Sequence, residues 1–397
     1  MNSLFKEKSE KRIKIGNYSL VVALLLLTFG CWNEIEWYEF TAPLGTIVST
    51  FFLAITLFCY VDIKEMIRDK EFYLIVIASI ITIINIFVVN SGLGAFFTVT
   101  NLLLVLYLAD KIQMSKKMLT VLGVYIAFFF YYWTVDVKGY FKGYNTNYGG
   151  LVLITGFAFA IVMLLYFQEK LKEKGKETAY KLMYIPIIFM FLLGYNIISW
   201  YRARCALLGL IVIAFIMIIP RKIWKINWIY NLLVIGSTFG AIAVCFIYIF
   251  LGQMKDVFTI RIFYKDILSG RDEIWGELLA MFLQHPLTGI GSNYTMRLEW
   301  MEGMFEVHNG LLDILIVHGI FVFGIVIFLL IKKLFGIRRM TTKSVIAKAC
   351  LAGIMAMLVS SFMENFFIVP PFTLCFLILF LMVRSDITES FHDGSSK

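Results

Sequence analysis

Two arginines stand two residues apart in Trp200-Tyr201-Arg202-Ala203-Arg204-Cys205-Ala206, with apolar runs on either side. At bilayer depth a guanidinium costs free energy unless it is paired or used. Arg204 falls where the spacing predicts the start of an apolar helix, whose free N–H groups and dipole favour an anion. Two guanidinium forks there suit a pyrophosphate. The plainer alternative is that they snorkel to lipid phosphates or pair with loop carboxylates. Residues two apart on one helix point about 160° from each other, so joint contact with a ligand requires a non-helical stretch.

Arg271, in Ser269-Gly270-Arg271-Asp272-Glu273-Ile274-Trp275, precedes an amphipathic segment. It reads either as a third phosphate ligand or as the partner of Asp266, Asp272 or Glu273, an exposed pairing of small worth. His308, in Glu306-Val307-His308-Asn309-Gly310, opens an apolar run. A helix N-terminus disfavours the protonated ring, and a neutral imidazole accepts a proton from a hydroxyl; the alternative is a cap or a packing residue. His318 lies roughly 15 Å deeper at 1.5 Å per residue and reads as an interior hydrogen-bonded group. His392 sits in a polar tail. Asp313 and Glu364, near expected helix ends, can orient a base or pair with an arginine. Asn145-Thr146-Asn147 precedes another apolar run, where Asn suits a helix cap or a sugar contact. Glu34-Ile35-Glu36 reads as a solvated acidic loop, with a divalent-metal pair as the alternative. The sequence holds no HExxH, DxD, GxxxxGK or GxSxG pattern, so neither an ATPase nor a serine hydrolase is indicated. No two of the six cysteines form a CxxC pair, and most lie in apolar runs as small hydrophobes. No metal and no cofactor is expected.

The elements that position these groups follow from composition. Of 397 residues 60% are apolar and 16% charged, with mean hydropathy +0.83. A soluble enzyme, a secreted disulfide scaffold and a disordered chain are excluded, and the continuous apolar runs argue against a β-barrel. The apolar stretches predict twelve transmembrane helices at about 18–33, 43–61, 72–89, 92–109, 118–135, 149–167, 182–199, 205–220, 228–251, 310–331, 345–363 and 366–383. The first reads as a retained helix, since no small-x-small cleavage site follows it. With the N-terminus inside, 26 of the 36 Lys and Arg fall on the inner side and nine on the outer. That asymmetry places both termini in the cytoplasm and accounts for the net charge of +9 without nucleic acid as a partner. The expected organisation is helices one to nine over 1–251, an extracytoplasmic loop over 252–309 with an amphipathic helix near 272–283 on the membrane surface, and the last three helices with a cytoplasmic tail over 310–397.

In order and spacing these motifs resemble the O-antigen ligase and O-antigen polymerase superfamily of bacterial polysaccharide assembly. Asn145-Thr146-Asn147-Tyr148 resembles its Asn-Pro-Asn loop, with Thr for Pro. Arg202-Ala203-Arg204-Cys205-Ala206 resembles its Arg-Ser-Ala turn, with Cys for Ser. Arg271 to Trp275, continuing to His285-Pro286-Leu287-Thr288-Gly289-Ile290-Gly291, resembles its Arg…Trp…Pro-Leu-x-Gly-x-Gly segment. His308-Asn309 with Gly319-Ile320 resembles its His-Asn…Gly-Ile signature. The likeness spans about 145–331.

The resemblance implies an all-α polytopic membrane protein of GT-C type in the bacterial cytoplasmic membrane, working on its extracytoplasmic side. It implies inverting, metal-independent transfer of a glycan from a polyprenyl pyrophosphate carrier to a sugar hydroxyl. Arg202 or Arg204, with Arg271, would hold the pyrophosphate; the small residues after Arg204 favour that one. His308 would act at the acceptor, supported by Asn309, Glu306, Asn145 and Asn147. The implied partners are polyprenyl-pyrophosphate-linked oligosaccharides, membrane lipids and other polysaccharide-assembly proteins. A polymerase is the first expectation, for O-antigen or capsule, and a ligase acting on lipid A core or a wall acceptor the second. A flippase or exporter of lipid-linked oligosaccharide is the alternative of another class, although no internal repeat is visible.

Overall fold

The computed structural model describes residues 2–30, 35–136, 146–255, 257, 260–263, 265–298, 301–303 and 306–392. The chain runs through α1 (Asn2–Gly30), α2 (Ile35–Tyr60), α3 (Ile63–Met66), α4 (Lys70–Val88), α5 (Leu93–Leu108), α6 (Lys116–Asp136), α7 (Thr146–Glu173) and α8 (Glu177–Leu182). It continues through α9 (Tyr184–Tyr201), α10 (Arg204–Ile218), a 3-10 turn at Arg221–Lys225, α11 (Asn227–Gly252), α12 (Arg271–Gln284), α13 (Gly310–Thr341), α14 (Val345–Ser360) and α15 (Pro370–His392). The connection between α11 and α13 also carries two antiparallel hairpins, β1 (Arg261–Ile262) with β2 (Lys265–Asp266) and β3 (Met296–Leu298) with β4 (Met301–Gly303). Strands of two and three residues leave no repeat to read in a sequence, and the hairpins are an addition to the all-α expectation.

A helix lies over each apolar stretch named above. Among the described residues, five helical segments are long and apolar enough to cross a membrane: Lys70–Val88, Asn147–Glu173, Glu177–Tyr201, Asn227–Gly252 and Gly310–Thr341. Leu44–Tyr60, Leu93–Leu108, Arg204–Ile218, Val345–Ser360 and Pro370–Ser385 are shorter apolar helices. The protein is a multi-pass membrane protein. Its centre is built by the second half of α5 with α7, α14 and α15, whose apolar side chains are enclosed almost all round. By contrast α9 turns Ile185, Ile188, Phe189 and Leu192 outward, as a helix facing lipid does. Small residues set the close approaches. A Cβ on Gly150 of α7 would run into Ala203, and one on Gly209 of α10 into Ser360 of α14.

α13 is broken at Gly319, whose φ of 83° and ψ of 172° leave the helical region. The carbonyls of Ile316 and Val317 therefore lose their next-turn partners. They accept instead from the N–H groups of Ile290 (2.9 Å) and Gly291 (3.1 Å), while the Ile320 N–H donates to the Pro286 carbonyl at 3.0 Å. A Cβ on Gly319 would run into the Leu287 carbonyl, and one on Gly289 would stand 2.5 Å from the Val317 carbonyl. Backbone thus docks directly on backbone where glycine alone permits it. The same segment is tied to the α4–α5 hairpin: Asn85 Nδ2 donates to the Thr288 carbonyl at 2.7 Å and the Gly92 N–H to Ser292 Oγ at 2.7 Å. His318 is buried beside this break, with Nδ1 unpartnered among the described residues.

α12 also departs from expectation. Its face of Ile274, Trp275, Leu278 and Phe282 is buried in the protein rather than left to lie on lipid. Gly252, at the end of α11, makes the fit, since a Cβ there would press on Asp272.

Candidate active site

The chain is non-helical between α9 and α10, as joint contact by the two arginines would require, yet it separates them. Arg202 ends α9 in the left-handed region, φ 54°, with its side chain exposed. Arg204 is the first residue of α10 and turns into a cavity of about 210 Å3 that it shares with Arg271, Tyr248, Asn147, Cys205 and Met363, with apolar α10 side chains continuing its wall. The turn is held there by small residues: Ala203 and Ala206 pack on Gly150, and the Cys205 carbonyl accepts from Ser360 Oγ at 3.0 Å. Arg204 reaches the loop through two nitrogens, to the Asp266 carbonyl and to Ser269 Oγ, the latter at 2.7 Å.

Arg271 is the first residue of α12 and is 7% exposed. Its Nη2 donates to Glu364 Oε1 at 2.8 Å and to the Met363 carbonyl at 2.9 Å. Its Nε is buried without a partner among the described residues. None of the loop carboxylates weighed as partners in the sequence takes this role. The ion pair is with Glu364, in the connection between α14 and α15. Glu364 Oε1 also accepts from Asn147 Nδ2 at 2.7 Å, and Oε2 lies 2.8 Å from His308 Nδ1. A neutral ring that donates from Nδ1 to this carboxylate has its lone pair at Nε2.

His308 is not the first helical residue. Asn309 caps α13, accepting from the Leu312 N–H at 3.1 Å, and His308 stands outside the helix with φ 52°. A residue other than glycine in that region carries strain of order 1–3 kcal/mol. It is fixed from both sides. Trp275 Nε1 donates to the Val307 carbonyl at 2.7 Å, the Asn309 N–H donates to Asn365 Oδ1 at 3.0 Å, and Asn309 Nδ2 donates to the Ala241 carbonyl at 2.9 Å. Arg271 and Trp275 are one helical turn apart, so one face of α12 carries both the cation and the tether of the residue before His308.

The remaining candidates are dispersed. Glu306 is exposed, with a carboxylate oxygen 3.9 Å from His308 Nδ1. Asp313 is one turn into α13, its N–H donating to the Asn309 carbonyl. Asn145, Glu34 and the side chains of Glu36 and His392 lie outside the described residues. Glu306, His308 and Glu364 offer ligand atoms within 4.8 Å of one another, enough donors for a cation. However, Glu364 already faces the Arg271 guanidinium, whose charge opposes a second cation there. Sequence reasoning missed Asn365, Ser361 and Tyr248. Ser361 binds the α14–α15 connection together, accepting from the Gly310 N–H with its carbonyl at 2.9 Å and from the Phe367 N–H with Oγ at 3.0 Å. One signal was there to use: Glu364 is the only acidic residue between Asp313 and Asp386.

The structure thus brings together a buried arginine whose Nε has no partner among the described residues, a second arginine across one cavity, and a histidine beside a carboxylate. Residues 188–329 match a family model described as O-antigen ligase. The match makes this segment similar to the O-antigen ligase family and covers less than half of the chain. It contains Arg202, Arg204, Arg271, His308 and Gly319, and it leaves out Asn147 and Glu364. No curated protein and no solved structure matches the chain.

Proposed function

We propose that the protein is a GT-C-type polysaccharide polymerase, for O-antigen or capsule. It transfers a glycan from a polyprenyl pyrophosphate carrier to a sugar hydroxyl of a second lipid-linked repeat unit, with inversion and without a metal. The observation that carries this reading is the shared cavity of Arg204 and Arg271, with the buried Arg271 Nε unpaired among the described residues. Pyrophosphate is a good leaving group once cations stabilise its developing charge, so no general acid is required. The acceptor hydroxyl is a poor nucleophile and requires a base. His308 Nε2 takes its proton as the oxygen attacks the anomeric carbon from the face opposite the leaving pyrophosphate. The imidazolium that forms is stabilised by Glu364 at 2.8 Å.

Twelve membrane-spanning helices, cytoplasmic termini and an outward-facing site belong to the same proposal. Charge supports this orientation. The helix ends remote from the cavity are bound by cations: Arg338 to the Trp224 and Lys225 carbonyls, Lys348 to the Met217 and Ile219 carbonyls, and Lys333 to Glu71 and Asp110. That is the basic, cytoplasmic side under the positive-inside rule. A ligase using a different acceptor, as the family description reads, is the second reading.

Purified protein in lipid, given only a polyprenyl-pyrophosphate oligosaccharide repeat, should yield a ladder of multiples, unaffected by EDTA. Product formed only after a lipid A core or wall acceptor is added makes it a ligase. Loss of product to EDTA with recovery in magnesium would refute the metal-free chemistry.

A further inference from the structure

The donors available to a pyrophosphate are fewer than two arginines suggest. Arg204 has two nitrogens turned to the loop, at Asp266 and Ser269, and Arg271 has Nη2 committed to Glu364 and Met363. Glu364 also cancels one of the two positive charges at close range. The leaving group gains charge as the glycosidic bond breaks, and every uncommitted N–H or O–H facing it then counts.

Tyr248 supplies such a group. It sits near the end of α11, 6% exposed, and lines the same cavity as Arg204 and Arg271. Its ring packs on Trp275 with centroids 5.1 Å apart and planes at 49°. That contact fixes the ring against the buried face of α12 and keeps the phenol at the cavity. The phenol lies within electrostatic reach of both guanidiniums. Among the described residues only burial and nearby charges act on its hydroxyl, with no hydrogen bond to it. A buried tyrosine ordinarily finds a partner for its O–H, and here the group that faces it is the cavity.

We infer that the Tyr248 hydroxyl is a further ligand of the leaving pyrophosphate, donating a hydrogen bond to a phosphate oxygen held between Arg204 and Arg271. The inference rests on the pyrophosphate reading of the cavity. It adds an uncharged donor to the two cations, set at the level where α11 meets α12. A neutral donor strengthens binding as charge builds, yet leaves the ground-state product less tightly held than a third arginine would.

The test uses full-length protein in lipid nanodiscs, with Tyr248→Phe beside Arg204→Ala and Arg271→Ala. Polyprenyl pyrophosphate binding is measured directly, and donor turnover is followed by release of that lipid. Phenylalanine preserves the ring against Trp275, and binding of polyprenol, which lacks phosphate, serves as the control that a damaged fold would move. Tyr248→Phe should bind polyprenyl pyrophosphate about tenfold more weakly and turn over 10- to 100-fold more slowly, with polyprenol binding retained. Wild-type affinity and turnover in Tyr248→Phe, with both arginine variants impaired, would overturn the Tyr248 assignment alone. Wild-type affinity in the arginine variants as well would overturn the pyrophosphate reading and this inference with it. Equal losses of polyprenol and polyprenyl pyrophosphate in Tyr248→Phe would make the residue a packing element and overturn the ligand role.

Discussion

Glu364 does three things with two oxygens. Oε1 balances the buried Arg271 guanidinium and takes the Asn147 amide, while Oε2 orients His308. Glu364→Gln keeps the shape but removes the charge. It leaves Arg271 without its counter-ion, a loss worth about 3–5 kcal/mol for a buried pair, and it no longer stabilises the His308 imidazolium. The expected result is a rate lowered by about 100-fold or more, in line with a lost acid–base function. Combined with His308→Ala it should cost less than the two losses multiplied, because orienting His308 is part of what Glu364 does, and the remaining loss reports its hold on Arg271. Rates that multiply in the double variant would mean that the carboxylate works independently of the imidazole. At this scale the sequence was informative about type and less so about geometry. Arg271 and His308 stand out from an apolar background, and chemistry alone suggests an anion and a base. Which of Arg202 and Arg204 meets the cavity depends on a single left-handed residue at the end of α9, and no side-chain pattern encodes that turn. Glu364 was legible as a lone acid near a helix end, but its partners lie 56 and 93 residues away in the chain.

Elements carry the glycines of the loop motif. Gly289, Gly291 and Gly319 all have positive φ, at 74°, 73° and 83°. They bring the irregular run after α12 onto the broken turn of α13. The break separates the first part of α13, which is capped beside His308, from the second, where Lys333 is buried against Glu71 and Asp110. Gly319→Ala puts a methyl into the Leu287 carbonyl and forces a left-handed conformation on an L-residue. We expect it to lower stability by at least about 2 kcal/mol, the range of a named backbone defect, and to reduce the yield of monodisperse protein in detergent. A melting temperature equal to that of the wild type would show that the docking is not a structural support. Helix positions were readable from hydropathy, since apolar runs of about 20 residues declare themselves. The break was not, because Gly319 lies within an apolar run that reads as one helix. The lipid-facing role expected for α12 gave way for a related reason: an amphipathic stripe specifies an apolar neighbour without saying whether it is lipid or protein.

Across the whole molecule, charge and polarity divide the bundle between its two ends. One end gathers the carbonyls and acids that take up Arg338, Lys348 and Lys333, and the other gathers Arg204, Arg271, His308 and Glu364. The described helices carry the chain between these ends, and residues of the connection between α11 and α13 bond to Arg204 at the second. A lipid-linked donor suits this layout, with its tail in the bilayer and its pyrophosphate at the cavity. The account stands or falls on which cations meet that pyrophosphate. The most direct measurement is release of polyprenyl pyrophosphate from a lipid-linked repeat unit by reconstituted wild type, Arg202→Ala, Arg204→Ala and Arg271→Ala, each checked for intact folding. Arg204→Ala and Arg271→Ala should lose 100-fold or more in turnover, a value in keeping with removal of a group that stabilises leaving-group charge, while Arg202→Ala stays within about threefold of wild type. Full activity in Arg204→Ala, with the loss falling on Arg202→Ala instead, would contradict it.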